Sequence, residues 1–184
     1  MELTANLYYN DLVERCKQGD VRSYGQLYNQ YAKAMFSTCF RLLNDHAEAE
    51  DVLQEAFTEA FRHLDNFQYK SSFGAWLKQI VINKAINHLR KKKLALAELN
   101  EQVHEAVIEE DPVDETEIEY KITEIKKAIQ LLPPGYRAVV SLYLLEGYDH
   151  EEISEILGIS YSTTRTQYKR AKDKLIALVK SAQK

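Results

Sequence analysis

The sequence predicts an all-α protein, built as two small helical domains joined by an acidic linker. Three observations carry that expectation. Only six glycines and three prolines interrupt 184 residues, and the stretches between them repeat apolar side chains at spacings of three and four. Hydrophobic residues make up 45% of the chain, enough for real cores and too many for wholesale disorder. Charge is segregated: residues 1–94 carry a net +2, residues 95–124 a net −10 and residues 125–184 a net +4, within an overall −4. The acidic stretch "AELNEQVHEAVIEEDPVDETEIEY" sustains no apolar period and suits a mobile linker between two mildly basic ends.

The first pattern, "GDVRSYGQLYNQYAKAMFSTCFRLL", opens with Asp20 as N-cap. Tyr24, Leu27, Tyr28, Tyr31, Met35 and Cys39 then mark one buried stripe. In "NDHAEAEDVLQEAFTEAFRHL", Asp45 and Glu48 form a capping-box pair, and Val52, Leu53, Ala56, Phe57, Ala60 and Leu64 form the apolar side. Asp51, Gln54, Glu55 and Thr58 fall on one polar stripe, which composition alone reads as a solvated face. "NFQYKSS" breaks the pattern, and Ser71 or Ser72 can cap "FGAWLKQIVINKAINHLRKKK", with Phe73, Trp76, Leu77, Ile80 and Val81 as core. Asn83, Asn87 and Arg90 share another face, with Lys84 and Lys91 to Lys93 nearby. Such a face can read base edges and grip phosphates, or can be a polar face with a dipole-favoured basic end.

After the acidic stretch, Ile122, Ile125, Ile129 and Leu132 mark a helix stopped by "PPG", and "YRAVVSLYLLEG" reads as one helix ending at Gly147. Asp149 and Glu152 form a capping box for "HEEISEIL", whose Ile153, Ile156 and Leu157 face inward. Gly158 supplies the positive φ of a tight turn. Ser160 and Thr163 start a last helix whose Thr164, Tyr168, Ala171 and Leu175 form the buried stripe. Ser162, Arg165, Thr166 and Lys169 lie on its other side. Caps, turn and basic face together make a helix-turn-helix signature, which favours DNA binding over a structural hairpin.

The remaining chemistry is sparse. The N-terminus has no basic start leading into an apolar core, and no apolar run approaches membrane-spanning length, so a soluble intracellular protein is expected. Cys16 and Cys39 form no framework and read as buried thiols. "DHAEAED" offers His46 among acids that helix capping explains, and "HEEIS" lacks the second His of a metalloprotease motif, so catalysis is not expected. A dimeric regulator sharing the same DNA-reading motif would need a sensory domain, and residues 1–94 show neither alternating strands nor a ligand-pocket signature.

The two halves together resemble a known family. "RLLNDHAEAEDVLQEAFTEAFRHLDNFQYKSSFGAWLKQIVINKAINHLRKKK" is similar to the second conserved domain of extracytoplasmic-function (ECF) sigma factors. "LPPGYRAVVSLYLLEGYDHEEISEILGISYSTTRTQYKRAKDKL" is similar to their fourth. The resemblance implies sigma domain two over residues 8–94, a linker over 95–119 and sigma domain four over 120–180. It implies a bacterial RNA polymerase subunit that docks on core enzyme, recognises the minus-thirty-five and minus-ten promoter elements and promotes melting. The partners implied are the polymerase core (β′ clamp helices and β flap), promoter DNA and an anti-sigma factor, with no cofactor, metal or small-molecule substrate. Asp51, Gln54 and Glu55 would dock on the β′ clamp helices. Asn66, Phe67, Lys70 and Ser71, in a loop that captures a flipped base, would meet the minus-ten element together with Asn83, Asn87, His88 and Arg90. Ser162, Thr163, Arg165, Thr166, Lys169 and Arg170 would read the minus-thirty-five element. The chain departs from the family pattern at Ile82 and Gln167, where basic residues are common and a phosphate contact would be lost.

Overall fold

A computed structural model describes residues 2–99 and 122–182, with side chains over 10–93 and 124–181. The chain divides into two compact units, Met1–Leu89 and Arg90–Lys184. Most of the acidic linker expected over 95–119 lies outside the described residues, but its first part is helical, because α4 (Phe73–Leu99) runs through it.

The first element, α1 (Glu2–Lys17), buries Leu12, Val13 and Cys16. The α2 helix (Val21–Leu43) starts where Asp20 accepts hydrogen bonds from the Arg22 amide and the Ser23 hydroxyl, at 3.0 and 2.7 Å. Arg15 ties that cap back to α1, 2.9 Å from the Asp20 carboxylate. The α3 helix (His46–Arg62) is capped by Asp45, whose side chain accepts from the Glu48 amide at 3.0 Å. The expected α2 stripe is only partly buried. Leu27, Met35 and Cys39 are in the core, whereas Tyr24 and Tyr31 are half-buried and Tyr28 is 37% exposed. The tyrosines instead form an aromatic ladder: Tyr24 meets Phe61 at 4.9 Å, Tyr28 meets Phe57 at 4.7 Å and Tyr31 meets Phe73 at 5.4 Å. A tyrosine can bury its ring and keep its hydroxyl near water, so such a ladder suits the rim of a small core. Gly74 permits the last of these contacts, since a Cβ there would sit 2.8 Å from the Tyr31 ring.

A single 3-10 turn, Leu64–Asn66, leads into the loop before α4. Ser72 caps α4 by accepting from the Ala75 amide at 3.2 Å. Trp76 and Ile80, expected in the core, are half-buried, while Phe73, Leu77, Val81, Ile82, Ala85 and Ile86 fill it.

In the second unit, α5 (Ile122–Gln130), α6 (Pro134–Val140), α7 (His150–Leu157) and α8 (Tyr161–Ala182) surround Ile129, Leu132, Val140, Ala171, Leu175 and Val179. The helix expected to run unbroken to Gly147 changes pitch. Residues Ser141–Leu145 form a π turn, in which the Glu146 amide donates to the Ser141 carbonyl at 3.1 Å. The extra residue in that turn keeps Ser141 and Leu142 buried and leaves Leu144 and Leu145 exposed. The Asp149–Glu152 capping box is complete: Asp149 accepts from the Glu151 and Glu152 amides at 2.8 and 2.9 Å, and Glu152 accepts from the Asp149 amide at 2.8 Å. Gly158 ends α7 at φ +65°, the left-handed conformation its lack of a Cβ allows. Ile153 is fully buried, and Ile156 and Leu157, also expected inside, are half-buried.

Candidate functional site

Three surfaces carry the residues singled out by sequence. The first is the outer side of α3. Asp51, Gln54, Glu55 and Thr58 are all exposed and line a shallow groove of about 480 Å³ with Glu59, Arg62 and Lys84. Lys84 does not join the basic end of α4 as grouped above. Its ammonium lies 2.6 Å from Glu59 and 3.8 Å from Glu55, reaching across from α4 into the acidic stripe. Pairs this exposed contribute under about 1 kcal/mol each, so the effect is to set local charge rather than to hold the fold. A second groove of about 280 Å³ adjoins it through Gln54 and adds Tyr28, Ala32 and Phe36 from α2. These apolar neighbours were missed because helical spacing assigned Tyr28 to the core, whereas its ring packs against Phe57 and remains 37% exposed.

The second surface is the loop before α4 together with the adjoining face of that helix. Asn66, Lys70, Ser71, Asn83, Asn87 and Arg90 are exposed. Phe67, grouped with them as a base contact, is a correction. It is 3% exposed, with its ring 5.8 Å from Phe73 and 5.4 Å from Trp76, so it anchors the loop from inside. The apolar ring of Phe67 is better accommodated in the core than in water, and a side chain so enclosed has no face to offer a base. His88 is half-buried and its Nε2 lies 3.4 Å from the Glu48 carboxylate on α3, an intramolecular pairing the sequence did not suggest. Ile82, noted above as a departure from the family pattern, is fully buried in the core of this unit.

The loop has its own tether. Tyr69 adopts φ +59° and its hydroxyl donates to the Glu14 carboxylate of α1. Lys17 sits 4.5 Å from the centre of the Tyr69 ring, donates to the Phe67 carbonyl at 3.4 Å and lies 3.7 Å from Glu14. Burial, and then the neighbouring Glu14, push the Tyr69 phenol above its ordinary range, which keeps it a hydrogen-bond donor.

The third surface is α8. Ser160 accepts from the Thr163 amide at 3.1 Å, and its hydroxyl lies 2.9 Å from that of Ser162 and 2.7 Å from that of Thr163. Ser162 and Thr163 thus take part in the cap that starts the helix. The buried Thr164 hydroxyl lies 3.0 Å from the Tyr161 carbonyl, 3.1 Å from that of Ser160 and 3.3 Å from that of His150 on α7. Arg165, Thr166, Lys169 and Arg170 all project into solvent, and the Thr166 hydroxyl donates to the Ser162 carbonyl at 2.9 Å. Gln167 is half-buried. The Arg165 guanidinium lies 5.9 Å from the Tyr161 ring, close enough for a weak cation–π contact. A capped helix end with small residues first and cations behind can approach a duplex groove and contact both bases and phosphates.

Among the described residues, no group of His, Cys, Asp and Glu is arranged to hold a metal ion, and no helix is long and apolar enough to cross a membrane.

Comparison with known proteins agrees with this division. Residues 27–94 match the family model of Sigma-70 region 2, and residues 122–175 match that of Sigma-70, region 4. The chain is 30% identical over 175 residues to the ECF RNA polymerase sigma factor SigW of Bacillus subtilis, covering 89% of this chain and 92% of that one. It is 33% identical over 174 residues to the RNA polymerase sigma-H factor of Pseudomonas aeruginosa, covering 88% and 89%. In fold it is similar to the sigma factor RpoE of Bartonella quintana, solved with the anti-sigma factor NepR. That match has a TM-score of 0.56 at 24% identity, over 87% of this chain and 98% of that one. With both regions matched in order and relatives covered almost end to end, the chain belongs to the ECF family of RNA polymerase sigma factors.

Proposed function

We propose that this chain docks on bacterial core RNA polymerase through Asp51, Gln54 and Glu55, reads a minus-thirty-five element with α8, and opens the minus-ten element with the Asn66–Ser72 loop and the Asn83–Arg90 face of α4. The observation that carries the reading is the exposed Asp51–Gln54–Glu55 stripe bordering an open groove in a region 2 unit. A polar stripe beside the apolar Tyr28 and Phe36 has the mixed composition of a protein-binding patch.

DNA affinity of the free chain is modest and salt-sensitive in this reading, because few cations face DNA and few counterions are released. Docking on core enzyme holds the two units at promoter spacing, so the second DNA contact forms at high effective concentration once the first is made. Opening then rests on trapping an unstacked base, whose cost of about a few kcal/mol is offset by contacts in the loop. No covalent step is asked of the chain. An anti-sigma factor that covers these surfaces is the regulatory partner in this reading, by analogy with the Bartonella protein solved with NepR.

Run-off transcription with purified core polymerase on genomic fragments tests the whole. The wild-type chain supports initiation from a discrete promoter set, and Gln54→Ala with Glu55→Ala loses core binding in a pull-down while keeping its helical content. Wild-type core affinity in that double variant would refute the docking assignment.

A further inference from the structure

The geometry points to a latch that pre-shapes the base-capture loop: Glu14 and Lys17 of α1 hold Tyr69 in a left-handed backbone conformation and so set the path of residues 67–72. The inference rests on the proposed role of that loop in capturing a base. Among the described non-glycine residues only Asn44 and Tyr69 have positive φ, and Asn44 does so as the C-cap of α2. Asparagine is tolerated there, whereas a tyrosine is costly unless its surroundings dictate the conformation.

Those surroundings come from a helix more than fifty positions earlier in the chain. Glu14 accepts from the Tyr69 hydroxyl, and Lys17 holds both the Tyr69 ring and the Phe67 carbonyl. Phe67 packs 4.6 Å from the Tyr69 ring and is itself buried. The Tyr69 side chain is 38% exposed, but Phe67 and Lys17 both lie against its ring and its hydroxyl is tied to Glu14, so these contacts position the loop. Lys70 and Ser71, exposed just beyond it, inherit their placement from this anchor. Glycine adopts positive φ without the steric cost that a side chain meets, so a glycine at position 69 lessens the dependence of the loop on the latch.

The test uses holoenzyme reconstituted with bacterial core RNA polymerase. The probe is a pool of fork-junction DNAs randomised over the single-stranded minus-ten segment, with bound molecules sequenced. Wild type enriches one base at a single position. Glu14→Ala and Tyr69→Phe each lower that enrichment about fivefold, the size of one net hydrogen bond, while core binding stays at the wild-type value and Trp76 fluorescence still reports a cooperative urea transition. Adding Tyr69→Gly to Glu14→Ala restores the enrichment, which a merely structural defect would not do. Undiminished enrichment in Glu14→Ala and Tyr69→Phe, or failure of the glycine to restore it, overturns the latch alone. A wild-type holoenzyme that enriches no base overturns the capture reading and the latch with it.

Discussion

Replacing Phe67 separates a base contact from a core anchor. The side chain is 3% exposed and lies between Phe73, Trp76 and Tyr69, at ring separations of 5.8, 5.4 and 4.6 Å. Truncating a buried phenylalanine to alanine costs about 3–5 kcal/mol. Its place beside an exposed loop, which can partly collapse into the gap, puts Phe67→Ala near the lower end, at about 3 kcal/mol. With a urea dependence of about 1.5 kcal/mol per molar for a unit this small, the unfolding midpoint falls by about 2 M. Trp76 is the single tryptophan of the chain and touches Phe67 directly, so its fluorescence reports the transition without a label. Phe67→Leu keeps most of the buried volume and costs under about 1.5 kcal/mol. The leucine variant should therefore fold and open promoters nearly as wild type does. A midpoint unmoved by Phe67→Ala would refute the burial argument. A stable Phe67→Leu variant that binds core enzyme but cannot open DNA would show that the ring meets the base after all.

Further outcomes follow from other elements. Asp149→Ala removes both amide bonds that start α7 and a favourable charge at the helix N-terminus, about 1–2 kcal/mol together, so amide exchange in α7 accelerates roughly 5–30-fold; unchanged protection would count against the cap. Burial pushes the Cys16 thiol up to about 11 and the Cys39 thiol up to about 12. Both thiols should resist a disulfide reagent at pH 8 in the native state and react on unfolding. Because the folded pKa values lie above the ordinary value of 9.0, their contribution to stability is complete below pH 9 and is lost as pH rises towards 11–12. A denaturation midpoint that stays flat over that range would contradict the sign. Arg165→Ala weakens minus-thirty-five recognition by about 1–3 kcal/mol if the guanidinium makes a bidentate base contact, and unchanged promoter preference would leave Arg165 a structural residue.

Much of this protein is legible along the chain because the interactions involved close within a few residues. Asp20, Asp45 and Asp149 cap helices through bonds to amides two or three positions away, and Gly158 ends α7 through its own φ. The helical periods, the charge segregation and the order of the two family patterns are likewise properties of the linear sequence, and they suffice for the fold class and the family. Other features depend on which helices meet. Lys84 turned onto Glu59, His88 facing Glu48 and Tyr69 held by Glu14 join residues 25 to 55 positions apart, and Phe67 is buried where the loop folds back onto Phe73 and Trp76 of α4. The π turn over Ser141–Leu145 is equally invisible to a 3.6-residue period, because apolar residues on several sides of that segment satisfy more than one pitch. Backbone hydrogen bonding and capping select helices locally. Which face of a helix becomes interior, and which charge finds a partner, is decided only when remote elements pack and exclude water.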